Sequence, residues 1–372
     1  MSLALNMWRH LLSFAGGQAT VVIALTFLAG SSPSGSPRYV GEGGDGQLLP
    51  DVVRTARAVL LVSLVYLAVA TPVLWIVLVA SGQSVARGFL HALWMFMSAW
   101  STGGLAPQSS NAYYYHSMLF EAVTVAIFLA GSISFALHWA VWSGRRGEVW
   151  RSIETVSFTV TMTIAVLATA AGLMRLGVYP DLMASLRKIL YQVMSGHTTT
   201  GLSTIYPRAF VRQWGPLAML GISFAMAIGA STASTAGGIK GMRVGLAFKG
   251  LVLDVRRALL PGRTAVVVQW HHLRPRVLDG GAVSSAMLII LLYIATYAVG
   301  ALAGMLYGYP PIEALFDAVS AGSNSGLSCG ITAPAMPAVL KVVYLLEMWA
   351  GRLEIVGVII LGGYTVSLLR GR

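Results

Sequence analysis

The chain is poor in charge, and acidic residues are its scarcest class. Only 10% of its 372 residues are charged, and 13 Asp and Glu stand against 25 Lys and Arg. Soluble domains carry about a quarter charged residues, whereas 56% of this chain is hydrophobic. A single cysteine, Cys329, excludes an intrachain disulfide and a multi-cysteine metal site. These shortages predict an all-α polytopic membrane protein.

Catalytic patterns are also missing. The sequence has no HExxH, Walker or GxSxG motif and no paired carboxylates. A polytopic membrane enzyme would need acidic, His or Cys side chains that converge, so we expect no enzyme. His271 and His272 lack acidic or cysteine neighbours at metal spacing, and we expect them to be a surface pair. His197 is predicted either to line a pore or to pack behind one.

The distribution of the basic residues indicates which loops are cytoplasmic and does not indicate a nucleic-acid partner. Four places, 38–57, 145–151, 240–276 and 370–372, hold 16 of the 25 Lys and Arg residues. Basic residues collect in cytoplasmic loops. The linkers 143–152 and 254–280 are therefore predicted to be cytoplasmic, together with the Gly- and Pro-rich linker 30–56. No nucleic-acid binding is expected.

Long apolar runs predict the membrane helices, since about 20 apolar residues span the hydrocarbon core as a helix. They lie near 11–29, 57–81, 118–142, 153–173, 214–230, 239–253, 281–305 and 337–369. Shorter half-apolar segments near 85–100, 182–197 and 311–322 are too short to cross. Non-helical backbone at membrane depth must be enclosed by protein or water, so these segments are predicted to be re-entrant pore helices.

Each half-apolar segment ends in a copy of one short pattern. The copies occupy 98–105, 195–202 and 320–327, at intervals of 97 and 125 residues, and share Ser-x-x-[Ser/Thr]-x-x-Gly-Leu. Glycine tolerates backbone angles that other residues avoid, and rings of carbonyls replace the water shell of a permeating cation. The repeat therefore predicts an ion-conducting pore built from like-oriented units.

Four regions follow from this repeat. Residues 57–152, 153–280 and 281–372 are each predicted to be a unit of helix, pore helix, filter and helix. Residues 1–56 are predicted to hold the second helix of an incomplete first unit and a cytoplasmic linker. A signal peptide over 1–29 is the alternative, which the helix count disfavours.

The second unit has an interrupted return helix between Trp214 and Val252. Its middle is a run of small residues, from here called the small-residue loop, formed by Gly229, Ala230, Ser231, Thr232, Ala233, Ser234, Thr235, Ala236, Gly237 and Gly238. Such a run weakens a helix and predicts a gate beneath the filter. The alternative is a helix-packing face, but packing faces need small residues only at every fourth position.

Two basic residues accompany this loop. Arg352 interrupts an apolar run, and intramembrane charges usually face a pore or pair with each other. We expect it either to contact the small-residue loop in the conduction path or to form a salt bridge with Glu347 or another buried acid. Lys240 closes the loop and is expected to extend to the cytoplasmic surface.

Together these residues resemble the Trk/Ktr/HKT superfamily of potassium transporters, and most closely the membrane subunit of bacterial Trk systems. The resemblance covers nearly the whole chain. Thr198-Thr199-Thr200-Gly201-Leu202 is similar to the family's third filter, and 229–240 is similar to its intramembrane gating loop. Segments 101–104 and 323–326, the latter with Gly351-Arg352-Leu353-Glu354 downstream, resemble the second and fourth filters.

The resemblance implies four units around a pseudo-fourfold pore for K⁺. Its filter residues would be Ser101, Thr102, Gly103, Gly104, Thr198, Thr199, Thr200, Gly201, Ser323, Asn324, Ser325 and Gly326. It further implies a homodimer in the cytoplasmic membrane, surrounded by lipid, and regulation by cytoplasmic nucleotide-binding subunits like TrkA or KtrA. No organic cofactor is implied.

The resemblance lacks one part, because no counterpart of the family's first filter occurs in this sequence. We expect a truncated sequence rather than a natural short form. The sequence leaves open a Na⁺/K⁺ transporter of the same family and a non-conducting fragment. It disfavours an inverted-repeat secondary transporter, because the basic loops place all three units the same way up.

Overall fold

The computed structural model describes residues 2–25, 52–260 and 266–370. The part of the predicted linker 30–56 that precedes residue 52 lies outside the described residues. The described residues are mostly helical and include one two-stranded hairpin. The helices of the first half are α1 (Leu3–Ile23), α2 (Val52–Ala80), α3 (Val85–Trp100), α4 (Met118–Ser132), α5 (Phe135–Trp142), α6 (Glu148–Arg151) and α7 (Ile153–Leu176).

The second half repeats this mixture of long and short helices. Its elements are α8 (Leu182–His197), α9 (Pro207–Ala209), α10 (Gly215–Ile228), α11 (Gly241–Leu259), β1 (Gln269–His272), β2 (Arg274–Val277), α12 (Gly280–Leu306), α13 (Pro311–Gly322), α14 (Ala338–Arg352) and α15 (Val356–Leu369). A 3₁₀ helix covers Asn111–Tyr115 and a π-helix covers Phe210–Trp214. The strands pair antiparallel, with His272 opposite Arg274.

Within the described residues, three helices are long and apolar enough to cross a membrane. They are α2, α7 and α12, which begin the three repeated regions of the chain. The pairs α4 with α5 and α14 with α15 also qualify if each bent pair is one span, which gives up to five. The large apolar side chains exposed on α2 and α12, such as Leu61 and Leu291, suit contact with lipid.

Three short helices occupy the predicted half-apolar segments. α3, α8 and α13 each contact the long helix before them and the next main helix after them, α4, α10 and α14 respectively. Local signals fix where α8 and α13 begin. The Asp181 side chain accepts a hydrogen bond from the Ala184 backbone N–H at 2.5 Å, and proline occupies the first turn of α13, where its missing N–H costs nothing.

Two predicted continuous helices are broken, which corrects the sequence analysis. The run 118–142 bends by 98° between α4 and α5. At this break the Ser132 and Gly131 carbonyls accept hydrogen bonds from loop residues Ser231 and Thr235, and Phe135 N–H donates to Ala233. The small-residue loop thus satisfies backbone groups that the helix would otherwise use itself.

The run 337–369 bends by 101° between α14 and α15. The break contains Glu354 and Ile355, which both have positive φ. Glu354 forms a salt bridge with Arg243 of α11, and this pair removes the cost of leaving either charge isolated in an apolar setting. A partner more than a hundred residues away therefore sets the break.

Three apolar clusters hold the bundle together. One joins α7, α8, α10, α12 and α13, and a second joins α1 through α5. The third seats the hairpin against α11 and α12, where Trp270 packs with Leu246, Leu253 and Ala286. Leu202 of the second Gly-Leu copy belongs to the second cluster and Leu327 of the third copy belongs to the first, while the hairpin lies beside the helix that follows the small-residue loop.

Candidate ion pathway

The three Gly-Leu copies share one backbone geometry. In each, the fifth residue after the first Ser returns a hydrogen bond to that Ser, as Gly103 N to Ser98 O, Thr200 N to Ser195 O and Ser325 N to Ser320 O, at 2.8–2.9 Å. The N–H of the residue before it donates to the carbonyl of the residue that follows that Ser, at 3.0–3.2 Å. These two bonds are the Schellman helix ending. The spacing of the repeat therefore encodes how each short helix stops.

Two left-handed residues follow in every copy. The first is Thr102, Thr199 or Asn324, with φ between 47° and 58°. The second is the repeat glycine, with φ of 64° at Gly104, 80° at Gly201 and 83° at Gly326. Only glycine adopts this region without strain. The chain therefore reverses at the end of each short helix instead of continuing through the protein.

The three glycines lie next to one another. A Cβ atom added to Gly104 would overlap the Thr200 carbonyl oxygen and lie 3.1 Å from Gly201 Cα. One added to Gly201 would overlap the Ser325 carbonyl oxygen and lie 3.2 Å from the Gly326 carbonyl carbon. A Cβ atom added to Gly326 would clash with nothing, and its one neighbour within 4 Å among the described residues would be Gly201 Cα, at 4.0 Å. The copies therefore meet in chain order, main chain to main chain.

A cavity of about 630 Å³ lies on the side where the first and third copies face each other. The first copy contributes Ser101, Thr102 and Gly103, the third contributes Asn324 to Leu327, and α1 contributes Ser13, Gly16 and Gly17. Ser13 Oγ lies 3.0 Å from Ser101 Oγ. α1 therefore packs directly against the first copy.

The small-residue loop lies directly beneath the copies. Gly237 N–H donates to Thr199 Oγ1 at 2.6 Å, and a Cβ atom on Gly237 would overlap the Ser323 carbonyl oxygen. Thr235 Oγ1 contacts the carbonyl oxygens of Trp100 and Gly131 at 3.0 and 2.9 Å. The loop therefore touches all three short-helix ends and the α4–α5 break.

Two cationic side chains donate into this loop. Arg352 Nη1 donates to the Thr235 carbonyl at 2.8 Å, and Lys240 Nζ donates to the Ala236 carbonyl at 2.5 Å. Of the two alternatives for Arg352, the loop contact is confirmed. Lys240 is buried, with 6% of its surface exposed, so the prediction that it reaches the cytoplasmic surface is wrong. The loop carbonyls hold it because they offer acceptors that lipid does not.

Arg352 lies between two spaces. It lines the upper cavity beside Asn324 and also a lower cavity of about 280 Å³. The lower cavity is bounded by Ala233, Ala236, Lys240 and Glu354. A guanidinium always carries its charge. Its positive charge therefore lies at the boundary between the two cavities.

The histidines have roles that the sequence analysis assigned only in part. His197 is fully buried, lies 2.8 Å from Thr161 Oγ1 and packs edge-on against Phe158, which supports the position behind the filter. The prediction of an exposed pair at His271 and His272 is wrong. His272 is 4% exposed, and both rings face carboxylates of α6 and α7 that are distant in sequence.

Two further residues of the pathway were missed. Asn111 Nδ2 lies 3.4 Å from the carbonyl oxygens of both Gly104 and Gly201, and Ser203 N–H donates to its Oδ1 at 3.3 Å. Asp317 lines the upper cavity and accepts four hydrogen bonds from Ser328, Cys329 and Thr332. The sequence did contain signals for both residues. Asn111 is a polar residue soon after the first Gly-Leu pair, and Asp317 is an acid three residues before the third copy.

These features define a helical membrane protein in which three short helices end at a common point and expose main chain to one another there, an arrangement that suits a cation pathway. The chain belongs to the TrkH family of cation transport proteins, which it matches over residues 1–363.

Relatives support the same assignment. The chain is 27% identical to an uncharacterized cation transporter of Methanocaldococcus jannaschii, covering 95% of this chain and 69% of that one. It is 24% identical to the Trk system potassium uptake protein TrkH of Escherichia coli, over 96% and 72%. Its fold is similar to the crystal structure of the potassium transporter TrkH from Vibrio parahaemolyticus, with a TM-score of 0.79, 22% identity and coverage of 97% and 72%.

Proposed function

We propose that this protein takes up K⁺ across the cytoplasmic membrane through the three Gly-Leu copies. The observation that carries the proposal is the direct main-chain contact of Gly104 with Gly201 and of Gly201 with Gly326. The relatives named as potassium uptake proteins support the choice of ion. The inward flux would be driven by the membrane potential, worth about 2.3 kcal/mol per charge per 100 mV.

The ion would be held by main-chain oxygens. The proposed coordinating carbonyls precede each glycine and belong to Thr102, Gly103, Thr199, Thr200, Asn324 and Ser325. Neutral oxygens suit a conducting site because they replace the water shell of the ion without binding it too tightly for release. Asn111 contacts the next carbonyl oxygens along the chain, those of Gly104 and Gly201.

The small-residue loop and Arg352 are the proposed gate. The loop lies between the upper and lower cavities, and Arg352 lines both. Lys240 adds a second charge on the lower side. We further propose that the protein works as a homodimer, and that cytoplasmic nucleotide-binding subunits act through the basic linkers 143–152 and 254–280 to move the loop.

A direct test uses potassium uptake. The chain should restore growth at low K⁺ to a bacterial strain that lacks its own uptake systems. In reconstituted vesicles it should carry K⁺ flux that falls when external K⁺ is replaced by Na⁺. Equal Na⁺ and K⁺ flux would favour the Na⁺/K⁺ alternative, and a folded protein without any flux would favour the non-conducting fragment.

A further inference from the structure

A buried carboxylate joins the small-residue loop to the hairpin β1–β2. Glu154, in the first turn of α7, has no exposed surface. Its Oε1 accepts a hydrogen bond from the Thr232 backbone N–H at 2.8 Å and a second from Thr232 Oγ1. A charge buried in an apolar setting is costly unless it is compensated. Glu154 is thus the anchor of the loop on α7.

The other carboxylate oxygen faces the hairpin. Glu154 Oε2 lies 3.8 Å from His272 Nδ1, and the same ring nitrogen is 3.1 Å from Ser152 Oγ. Oε2 accepts no hydrogen bond within the described residues. Oε1 therefore accepts hydrogen bonds from the loop, whereas Oε2 faces the hairpin. Both Thr232 and His272 are buried.

The hairpin has a second attachment of the same kind. His271 Nε2 lies 2.7 Å from Glu148 Oε2 of α6. On its other side the hairpin packs through Trp270 against α11, and Lys249 Nζ donates to the Gln269 carbonyl at 2.7 Å. α11 begins just after the small-residue loop. The hairpin thus contacts the elements on both sides of the proposed gate.

We propose that Glu154 is a positioning residue that couples the hairpin to the small-residue loop, so that displacement of the hairpin moves the loop between blocking and conducting positions. This inference rests on the proposed function of the loop as a gate. A glutamine could anchor Thr232 equally well, since its amide oxygen also accepts hydrogen bonds. The second carboxylate oxygen also lies 3.8 Å from His272 Nδ1, a contact that a loop anchor alone would not require.

The test measures how accessible the loop is. In a Cys329→Ser background, Ala236→Cys places a thiol at the lower cavity, and its rate of modification by a charged thiol reagent in vesicles reports loop displacement. Glu154→Ala should raise this rate by about tenfold or more, because hydrogen bonds to a charged group are lost. Glu154→Gln keeps the acceptor for Thr232 but loses the carboxylate oxygen that faces His272, so it should raise the rate only to about the level of His272→Ala, well below Glu154→Ala.

A second set of variants keeps the inference testable if Glu154→Ala does not fold. Thr232→Val removes one donor and should raise the rate, whereas Thr232→Ser should not. His272→Ala should raise the rate in the Glu154 protein but add little in Glu154→Gln, since coupled residues are not additive. Equal effects of His272→Ala in both backgrounds, or an unchanged rate in Thr232→Val, would overturn the coupling.

Potassium flux in the same vesicles separates this inference from the proposed function. Modification rates that follow the expected pattern in vesicles without flux would keep the coupling and reject potassium uptake. Normal flux in vesicles whose modification rate ignores Glu154, Thr232 and His272 would keep the uptake and reject the coupling.

Discussion

The Gly-Leu copies and the small-residue loop are both non-helical segments enclosed between helices, yet they are held in opposite ways. Each copy is fixed by hydrogen bonds from its own short helix, one turn away. The loop is held by distant groups: Trp100 and Gly131 carbonyls, Thr199, Glu154 and Arg352. The copies are therefore locally determined, whereas the loop depends on the position of its neighbours.

Under the proposed function, this difference lets one pathway be both selective and controlled. A coordination site must keep its oxygens at constant distance, and a local Schellman ending provides that constancy. A gate must have a second position within a few kcal/mol, and several separate side-chain contacts can be exchanged one at a time. Each prediction below changes one side of this contrast, from the largest expected effect to the smallest.

The largest effect is expected at the centre of the copies. Gly201→Ser adds a Cβ atom that overlaps the Ser325 carbonyl, at a position with φ of 80°. Overpacking together with left-handed strain costs about 2–5 kcal/mol, and the displaced oxygens are those proposed to bind the ion. Potassium-dependent growth should be lost, or selectivity should shift toward Na⁺. Flux assays under both ions measure this.

A matched control separates the clash from the backbone strain. Gly177 ends α7 with φ of 60°, and an added Cβ atom would meet nothing within 4 Å. Gly177→Ser should therefore keep nearly normal uptake. Normal uptake and selectivity in Gly201→Ser would contradict the filter assignment.

The second effect concerns the gate charge. Arg352→Gln removes the guanidinium that donates to Thr235 and lies between the two cavities. Loss of a hydrogen bond from a charged group is worth about 1.5–3 kcal/mol, so K⁺ flux should rise by about tenfold or more. The K⁺ flux of Arg352→Lys should lie between those of the parent protein and Arg352→Gln, because lysine keeps the charge but not the planar donor group. A flux that falls in Arg352→Gln would contradict the barrier.

The third effect concerns the uncharged hydroxyl of Thr235, which holds the small-residue loop by hydrogen bonding. Thr235→Val removes the hydroxyl that contacts the Trp100 and Gly131 carbonyls. Each neutral hydrogen bond contributes about 1 kcal/mol, so flux should rise by a few-fold. Thr235→Ser keeps the hydroxyl and serves as the control. Equal flux in the two variants would favour the packing alternative for the small-residue loop.

The smallest effect is expected at the only cysteine. Cys329 lies in the loop between α13 and α14, 2% exposed, and burial together with nearby Asp317 raises the pKa of its thiol. The thiol therefore stays neutral through the pH range, around 8.5, where an ordinary thiol ionises. Maleimide should label Cys329 slowly. In the control variant, which combines Cys329→Ser with Ser143→Cys, the exposed thiol at position 143 should be labelled quickly. Fast labelling of native Cys329 would contradict the buried position.

Local signals in the sequence predicted part of this structure well. The half-apolar segments 85–100, 182–197 and 311–322 are α3, α8 and α13 to the residue. Asp181 sets the start of α8 and proline sets the start of α13. The Ser-to-Gly spacing sets the ends of all three helices, and each of these signals lies within one helical turn. The interruption at 229–238 was predicted for the same reason, because a run of small residues weakens a helix by itself.

Features set by distant partners could not be predicted. The α4–α5 bend exists because loop residues such as Ser231 take over backbone groups of α4. Lys240 is buried with its ammonium group donating to a loop carbonyl, and His272 is buried with its ring beside Ser152 and Glu154. None of these partners lies nearby in the sequence. The boundaries of the predicted units, the incomplete first unit and the ion-binding role of the filter residues stay predictions.

Anomalous scattering from Tl⁺, a substitute for K⁺, locates the ion most directly in crystals of the transporting protein. The account predicts a peak within coordination distance of the Thr200 and Ser325 carbonyl oxygens, where Gly104, Gly201 and Gly326 meet. A protein that carries Tl⁺ yet binds it only away from these three glycines would contradict the account.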